Sequence, residues 1–151
     1  MKTHIFKTHL LRDKKIIREI EVAENINLYK LAEAIVGAYD FDFDHAFGFF
    51  SKVTEGWGGL ADNKERYELF ADLDPKEANG ARSVKRTKVT EVWKRSGDTM
   101  MMLFDYGDEW RFAVELIGFG ETQPKQKYPR VLKSIGIAPE QYPDYDGEDK
   151  E

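Results

Sequence analysis

The sequence contains no cysteine among its 151 residues. This absence excludes a disulfide scaffold, a thiolate zinc site, a cysteine-held iron–sulfur cluster and a cysteine nucleophile. No apolar run approaches the roughly 18 residues that are needed to cross a bilayer, and residues 1–7 lack the apolar region of a signal peptide. These absences predict a soluble protein of the reducing cytoplasm that makes no membrane contact.

Motifs for phosphate, dinucleotide and acyl chemistry are missing as well. The chain has no Gly-Lys-Ser/Thr loop, no dinucleotide glycine fingerprint and no Gly-x-Ser-x-Gly elbow. The glycine-rich segment 56–59 lacks the lysine that a phosphate loop requires. We therefore expect no cofactor.

One incomplete metal motif is present. Asp40, Asp42 and Asp44 match the first three ligands of a calcium loop. The motif then fails, because His45 stands where the turn glycine belongs and Ser51 stands where the bidentate glutamate belongs. We therefore expect no metal site.

The chain does contain enough apolar material for one folded domain. Hydrophobic residues make up 41% of the sequence, and they include 10 phenylalanines and 7 tyrosines. The net charge is −5, and residues 144–151 contribute most of it with five acids against one lysine. We expect a single domain over residues 1–143 and an acidic, disordered tail over residues 144–151.

Hydrophobic periodicity predicts both strands and helices. An apolar stripe at helical spacing, with Asn27 placed to cap its first turn, predicts a helix buried along one side: Leu28, Leu31, Ala32, Ile35, Val36 and Tyr39. Strands are expected at 3–11, 15–22, 45–53, 67–71, 99–106 and 110–118, a loop at 72–81, a short helix from Val89 that Gly97 stops, and a proline-rich wrap from 119 onward. This order predicts an α+β fold, a single domain whose antiparallel sheet contains two hairpins plus a central strand, with helices packed on one face.

The second hairpin carries a prediction of register. If Gly107 and Asp108 form a two-residue turn, Leu103 lies opposite Phe112. One face should then lie on the core: Met101, Leu103, Phe112, Val114 and Leu116. The other face should carry Phe104 beside Arg111 and Met100 beside Glu115.

Acidic and aromatic residues gather around His45 and at the second hairpin turn. Asp44 precedes His45, while Asp105 and Asp108 lie in the turn that leads to Trp110. A histidine beside a carboxylate can act as a general base, and paired carboxylates can perform acid–base chemistry when one pKa is raised. A structural, hydrogen-bonded histidine and solvated turn acids explain the same residues without any chemistry.

One short segment, 82–95, is basic and contains Arg82, Lys85, Arg86, Lys88, Lys94 and Arg95. Basic residues beside Trp93 fit a nucleic-acid surface. The isoelectric point near 5.3 argues against long-range attraction to phosphate, and Trp93 also suits the core of a helix. In that alternative, Lys88, Glu91 and Arg95 form a salt-bridged outer face.

Several motifs together resemble one known family. They are Asp44-His45-x-Phe47-x-Phe49, Phe104-Asp105-Tyr106-Gly107-Asp108-x-Trp110 and Tyr128-Pro129-Arg130, after an N-terminal hairpin and a helix. Over residues 4 to 143 this order resembles the plasmid open-reading-frame-three-like family, named after a frame on a root-inducing plasmid. Members also bear the name TnpR passenger protein of an insertion element.

The resemblance implies a compact α+β domain and assigns it no reaction. It also implies that one set of residues matters to the fold or to a shared surface: His45, Asp105, Gly107, Asp108, Trp110 and Arg130. Cysteines that are common near the end of the family are replaced here by Val131 and Ile137, so no role of theirs carries over. The chain shows no serine-recombinase or metal-triad pattern.

From the sequence we expect a non-enzymatic binding or accessory module whose ligand is unknown and whose partner could be another protein. Its acidic and aromatic surface would comprise Asp44, His45, Asp105, Asp108, Trp110 and Arg130. The first alternative is a nucleic-acid-associated accessory protein of a mobile element that uses the basic segment. The second is a hydrolase that uses His45 with Asp105 or Asp108.

Overall fold

The computed structural model describes residues 1–56, 63, 65–74, 76 and 79–143. Their elements are β1 (Lys2–Leu10), β2 (Ile17–Ala23), α1 (Leu28–Ala38), β3 (Phe47–Phe50), β4 (Arg66–Glu68), α2 (Phe70–Leu73), α3 (Val89–Val92), β5 (Thr99–Phe104), β6 (Trp110–Glu121) and β7 (Arg130–Ile135). The strands form one sheet in the order β4-β3-β5-β6-β1-β2-β7, and every neighbouring pair is antiparallel. The predicted α+β class is confirmed. Among these described helices, none has the length and apolar character to cross a membrane.

Helix α1 follows the predicted stripe. Leu28, Leu31 and Ile35 are fully buried, and the Asn27 side chain accepts a hydrogen bond of 2.8 Å from the backbone N–H of Lys30. That bond satisfies one of the free N–H groups of the first turn, as a cap should. At the other end, Arg18 Nε donates to the carbonyl oxygen of Ala38 at 2.9 Å. Both predictions for this helix, the stripe and the cap, are confirmed.

The sheet has a large apolar core on one face and a small one on the other. The large core lies under α1 and α3 and includes side chains from β1, β2, β3, β5 and β6. The small core contains Phe50, Met101 and Leu103, with Leu11 and Tyr106 packed against it. Because successive side chains of a strand point to opposite faces of the sheet, neighbouring residues enter different cores.

The predicted register of the second hairpin is wrong by one residue. Met102, not Leu103, lies opposite Phe112, and Phe104 lies opposite Trp110. As a result Met100, Met102 and Phe104 enter the large core with Phe112, while Met101 and Leu103 enter the small core. The cause is the turn, which spans five residues between β5 and β6 instead of two. An odd difference in turn length moves every side chain of a strand to the opposite face.

Three predictions about short elements need correction. Strand β3 ends at Phe50, and Val53 is 42% exposed. The strand expected at 67–71 is β4 at Arg66–Glu68, and a helical turn, α2, occupies part of the expected loop at 72–81. Aromatic and apolar residues in these short segments satisfied local strand patterns, but pairing partners fix where a strand ends.

Helix α3 is also shorter than predicted. It ends at Val92, and Trp93 already has an extended backbone with φ −104° and ψ 107°. Arg95 therefore lies outside the helix, and the predicted outer face does not form. Instead, the Glu91 carboxylate accepts the backbone N–H of Lys88 at 2.7 Å. Trp93 is fully buried and donates from Nε1 to the carbonyl oxygen of Val114, so its predicted role in the core is confirmed.

The C-terminal third contains more regular structure than predicted. Strand β6 continues to Glu121, and β7 pairs with β2 at the edge of the sheet, with a register shift between Glu19 and Ile20. Pro129 and Pro139 flank β7 and interrupt no strand pairing, because prolines are tolerated at the ends of strands. The glycine-rich segment beyond Gly56 and the predicted tail, 144–151, lie outside the described residues.

Candidate functional site

His45 lies at the point where three distant parts of the chain meet. Its Nδ1 is 2.8 Å from Asp44 Oδ1, and its Nε2 is 3.6 Å from Asp105 Oδ2. His45 is 40% exposed, whereas the Asp105 side chain is 7% exposed. Asp44 and His45 precede β3, and Asp105 directly follows β5, so the pairing of these two strands brings the three residues together.

Asp105 builds the turn between β5 and β6. Its backbone lies in the left-handed region, with φ 67°, and Glu109 at the far end of the turn has φ 55°. Its Oδ1 accepts the backbone N–H groups of Gly107 and Asp108 at 3.0 and 3.1 Å. Aspartate tolerates this backbone conformation and satisfies turn N–H groups in this way. Asp105 is therefore a buried organiser of the turn, in contrast to the solvated turn acid that the sequence also allowed.

The C-terminal segment closes over His45. The Tyr142 hydroxyl donates to Asp44 Oδ2 at 2.8 Å and lies 3.0 Å from His45 Nδ1. The neighbouring Gln141 accepts the backbone N–H of Asp42 at 2.7 Å and donates to the Asp42 carbonyl oxygen at 3.0 Å. These contacts hold the segment before β3 in place. Tyr142 is 50% exposed and supplies an aromatic surface.

The pKa values follow from these contacts. Hydrogen bonding to Asp44 raises the pKa of His45 against the opposing effect of desolvation, and the charges of Asp105, Asp44 and Asp108 raise it further. Desolvation opposes ionisation of Asp44, but hydrogen bonds from His45 and Tyr142 hold the pKa of Asp44 below its usual value. Desolvation and the Asp44 carboxylate raise the pKa of Tyr142 to about 12. The contact between the two residues therefore favours a protonated His45 beside an ionised Asp44.

The other three predicted site residues lie in three different places. Asp108 is exposed in the same turn and close enough to influence His45 through its charge. Trp110 is 3% exposed and packs against Phe41 in the core, so it offers no open aromatic face. Arg130 lies on β7 at the far edge of the sheet, where it pairs with Glu21 at 2.9 Å. The structure therefore brings Asp44, His45, Asp105 and Asp108 together and leaves Arg130 apart.

Two contributors at this site carry no clear signal in the sequence. Tyr142 is one, although an aromatic residue between two prolines could have marked it. Arg12 is the other: its guanidinium lies 4.1 Å from the centre of the Trp110 ring and donates to the carbonyl oxygens of Asp108 and Glu109. Arg12 belongs to the β1–β2 turn, and only the pairing of β1 with β6 places it here.

The basic segment does not form a uniform cationic stripe. Arg82 and Lys94 line a cavity of about 400 Å³ that Tyr67 and Glu91 share. The Lys85 ammonium lies 5.1 Å from the centre of the Tyr29 ring. Among the residues that the structure describes, no cluster of histidine, aspartate and glutamate could hold a metal ion.

Comparison with known families agrees with the fold and the motifs. A family model described as "Plasmid pRiA4b ORF-3-like protein" matches residues 4–147. The chain belongs to this family. The pRiA4b ORF-3-like family match covers β1 from residue 4 onward and all of β2 to β7. It also covers the His45 cluster, which comprises Asp44, His45, Asp105, Asp108 and Tyr142. No curated protein matches the chain.

A solved structure shares the fold. The crystal structure of a protein of unknown function, MM3350 from Methanosarcina mazei Go1, superimposes with a TM-score of 0.70 at 21% sequence identity. The match covers 91% of this chain and 71% of the other. At this identity the likeness concerns the fold alone.

Proposed function

We propose that this member of the pRiA4b ORF-3-like family is a non-enzymatic binding module. Its binding surface is the acidic and aromatic surface formed by Asp44, His45, Asp105, Asp108 and Tyr142. The observation that carries the proposal is the convergence of carboxylates from two strand ends on one exposed histidine. The ligand class is a cationic group, such as a lysine or arginine side chain of a partner protein.

Charge and exposure support this ligand class. Asp44 and Asp105 contact His45, and Asp108 lies close enough to act on it through its charge, so carboxylates outnumber the single imidazole. The nearby Arg12 guanidinium is engaged with carbonyl oxygens and the Trp110 ring. The half-exposed ring of Tyr142 offers a face to a cation, an interaction worth about 0.5–1 kcal/mol at an exposed site.

The geometry favours binding over catalysis. A general base needs a free imidazole lone pair within reach of its substrate. Both ring nitrogens of His45 face carboxylates, which favours the imidazolium ion. The hydrolase alternative predicts ester or phosphodiester turnover that His45→Gln abolishes. Turnover of that kind would replace the binding-module proposal.

A titration with short peptides tests the proposed surface. We expect an Arg/Lys-rich peptide to bind by calorimetry at low salt and its acidic counterpart not to bind. Asp108→Asn should weaken binding about threefold to tenfold, because it removes an exposed charge from the surface and leaves the buried Asp105 side chain in place. The matched control is Glu121→Gln, an exposed acid whose side chain is 67% accessible on β6. Equal affinity in the wild type and Asp108→Asn would contradict the proposal.

The nucleic-acid alternative rests on the cavity that Arg82 and Lys94 share with Tyr67. It predicts affinity for DNA or RNA that falls steeply with salt, with a log–log slope near −0.9 per phosphate contact on duplex DNA. We expect weak binding at low salt and none at physiological salt. Binding at physiological salt that Arg82→Ala/Lys94→Ala abolishes would favour the alternative.

A further inference from the structure

The edge of the sheet at β7 differs from the opposite edge. Strand β4 is three residues long, and its Tyr67 also pairs with Arg82. Strand β7 is six residues long, and no strand among the described residues pairs with its outer side. Edge strands of this length present a row of N–H and C=O groups that can pair with another extended chain.

The side chains of β7 are more exposed and more apolar than those of a protected edge. Val131, Leu132 and Ile135 are 48%, 39% and 45% exposed. Natural edges are often guarded by a lysine, but Lys133 lies 3.8 Å from Glu19 on the neighbouring strand. Apolar surface and backbone groups are therefore available together.

An open cavity of about 560 Å³ lies beside this strand, between α1 and the start of β7. Its α1 wall contains Ala34 and Gly37, small residues one turn apart, and its floor contains Ile20 and Val131. A methyl group added at Gly37 would meet no atom within 4 Å, so the space above it is empty. Pockets of roughly 300–1,000 Å³ are the size that accepts a bound side chain or small ligand.

Positive charge is concentrated in the segment that leads into β7. Residues 122–139 contain Lys125, Lys127, Arg130 and Lys133 and no acidic residue, although the chain as a whole carries −5. Glutamates of β2 pair with two of its cations, Arg130 with Glu21 at 2.9 Å and Lys133 with Glu19 at 3.8 Å, so Lys125 and Lys127 provide the excess positive charge. A second copy of this chain would bring another Lys125 and Lys127 to the interface, and these like charges would repel. An acidic extended peptide would be attracted.

We propose that β7 and the α1–β7 cavity form a docking site for an extended, acidic peptide segment of a partner protein. The segment adds to the sheet as a strand beside β7 and inserts an apolar side chain into the cavity, while its acidic residues face the lysines. Main-chain hydrogen bonds provide affinity in such strand addition, and the pocket provides specificity. The site is separate from the surface around His45 and does not depend on it.

The test uses a labelled nine-residue peptide with acidic ends and valine at alternate central positions, and a twin with lysine ends. We expect the acidic peptide to bind with a dissociation constant below about 1 mM. The control peptide with lysine ends should bind at least tenfold more weakly. Hydrogen exchange should show new protection in β7. Failure of the acidic peptide to bind, or binding without protection of β7, would overturn the proposal.

Two variants locate the site. Gly37→Leu fills the cavity from an open helix position, and Lys125→Glu/Lys127→Glu reverses two exposed charges. Each variant should weaken binding of the acidic peptide about tenfold. Gly37→Leu removes the pocket for the side chain, and Lys125→Glu/Lys127→Glu removes the electrostatic attraction. The matched control is Lys14→Glu/Lys15→Glu, an exposed pair in the β1–β2 turn, which should have little effect.

Three further results separate the alternatives. Asp108→Asn should leave the affinity for the acidic peptide unchanged. Failure of the docking site can therefore be distinguished from failure of the binding surface around His45. Dimerisation through β7 in sedimentation experiments would identify a second copy as the occupant and overturn the proposal. Single-stranded DNA binding that Gly37→Leu does not alter, without peptide binding, would reduce the region to a phosphate-attracting patch.

Discussion

At the scale of single residues, His45 links protonation to folding. Its pKa is raised in the folded state by Asp44, with further contributions from Asp105 and Asp108. A histidine whose pKa is raised on folding stabilises the folded state fully below its unfolded pKa of about 6.5. That contribution is lost as pH rises through the folded pKa.

We therefore predict that the stability difference between the wild type and His45→Gln is largest below about pH 6.5 and shrinks as the pH rises above it. Because His45 is 40% exposed, the difference should stay below about 1 kcal/mol. Urea unfolding of both proteins between pH 5.5 and 8.5 measures it. A difference that grows with pH would contradict the prediction.

His9 provides a control of opposite sign. Desolvation, with the charges of Lys14 and Lys7, lowers the pKa of His9. The unfolded state then binds the proton more tightly, so protonation of this residue destabilises the fold as pH falls below about 6.5. At acidic pH, His9→Gln should therefore be more stable than the wild type, whereas His45→Gln should be less stable.

The sequence identified some of these residues and missed others for a physical reason. Asp44, His45 and Asp105 carry motifs that could be read directly, and the strand pairing brings them together. Tyr142 and Arg12 reach the site through contacts that span about a hundred residues. No local pattern encodes such contacts, because they depend on the order of strands in the sheet.

At the scale of elements, the register of the β5–β6 hairpin can be tested by measuring the coupling free energy between pairs of side chains. Met102 and Phe112 lie opposite each other in the large core, and Leu103 enters the small core. Each truncation to alanine should cost about 2–5 kcal/mol, since these side chains are fully buried. A double-mutant cycle between Met102→Ala and Phe112→Ala should give a coupling of about 0.5–3 kcal/mol.

The same cycle between Leu103→Ala and Phe112→Ala should give a coupling near zero, because the two side chains lie on opposite faces. Urea unfolding of the single and double variants provides the values. Strong coupling of Leu103 with Phe112, together with none for Met102, would restore the register predicted from a two-residue turn.

Two glycines in strands offer a matched comparison of packing. A methyl group at Gly48 would lie 2.8 Å from both Glu68 Cγ and the Tyr106 hydroxyl, which are hydrogen-bonded neighbours in a half-buried site. Gly48→Ala should therefore destabilise the protein by about 1–3 kcal/mol. Thermal or urea unfolding measures the change.

Gly118→Ala is the control. A methyl group there meets no atom within 4 Å, and alanine reduces the conformational entropy of the unfolded chain. This variant should be neutral or slightly stabilising. Equal losses of stability at the two positions would show that strand flexibility, and not close packing, requires glycine at Gly48.

Elements with their own periodicity were predictable, and elements that depend on a partner were not. Helix α1 has an apolar stripe and a cap that need no knowledge of the rest of the chain. The five-residue turn depends on left-handed backbone at Asp105 and Glu109, which a Gly-Asp pair does not reveal. Strand β7 was missed because its side chains are exposed and lack alternation, and only its pairing with β2 defines it.

At the scale of the whole molecule, charge is separated between two regions. The surface around His45 is acidic, whereas residues 122–139 are basic. Composition alone shows a mildly acidic protein with a net charge of −5. The separation follows from strand order, because β7 closes one edge of the sheet while the residues of the His45 cluster follow β5 and precede β3.

The same strand order determines when the chain can fold during synthesis. Strand β1 lies between β2 and β6, so one of its two neighbours is made about a hundred residues after it. At a synthesis rate of about 5–20 residues per second, the N-terminal hairpin waits roughly 5–20 s with one edge open. Phe6 and Leu10 are buried in the folded protein, but during that interval they lack their contacts with β6. Completion of β6 supplies the missing neighbour of β1 and ends this exposure of apolar surface.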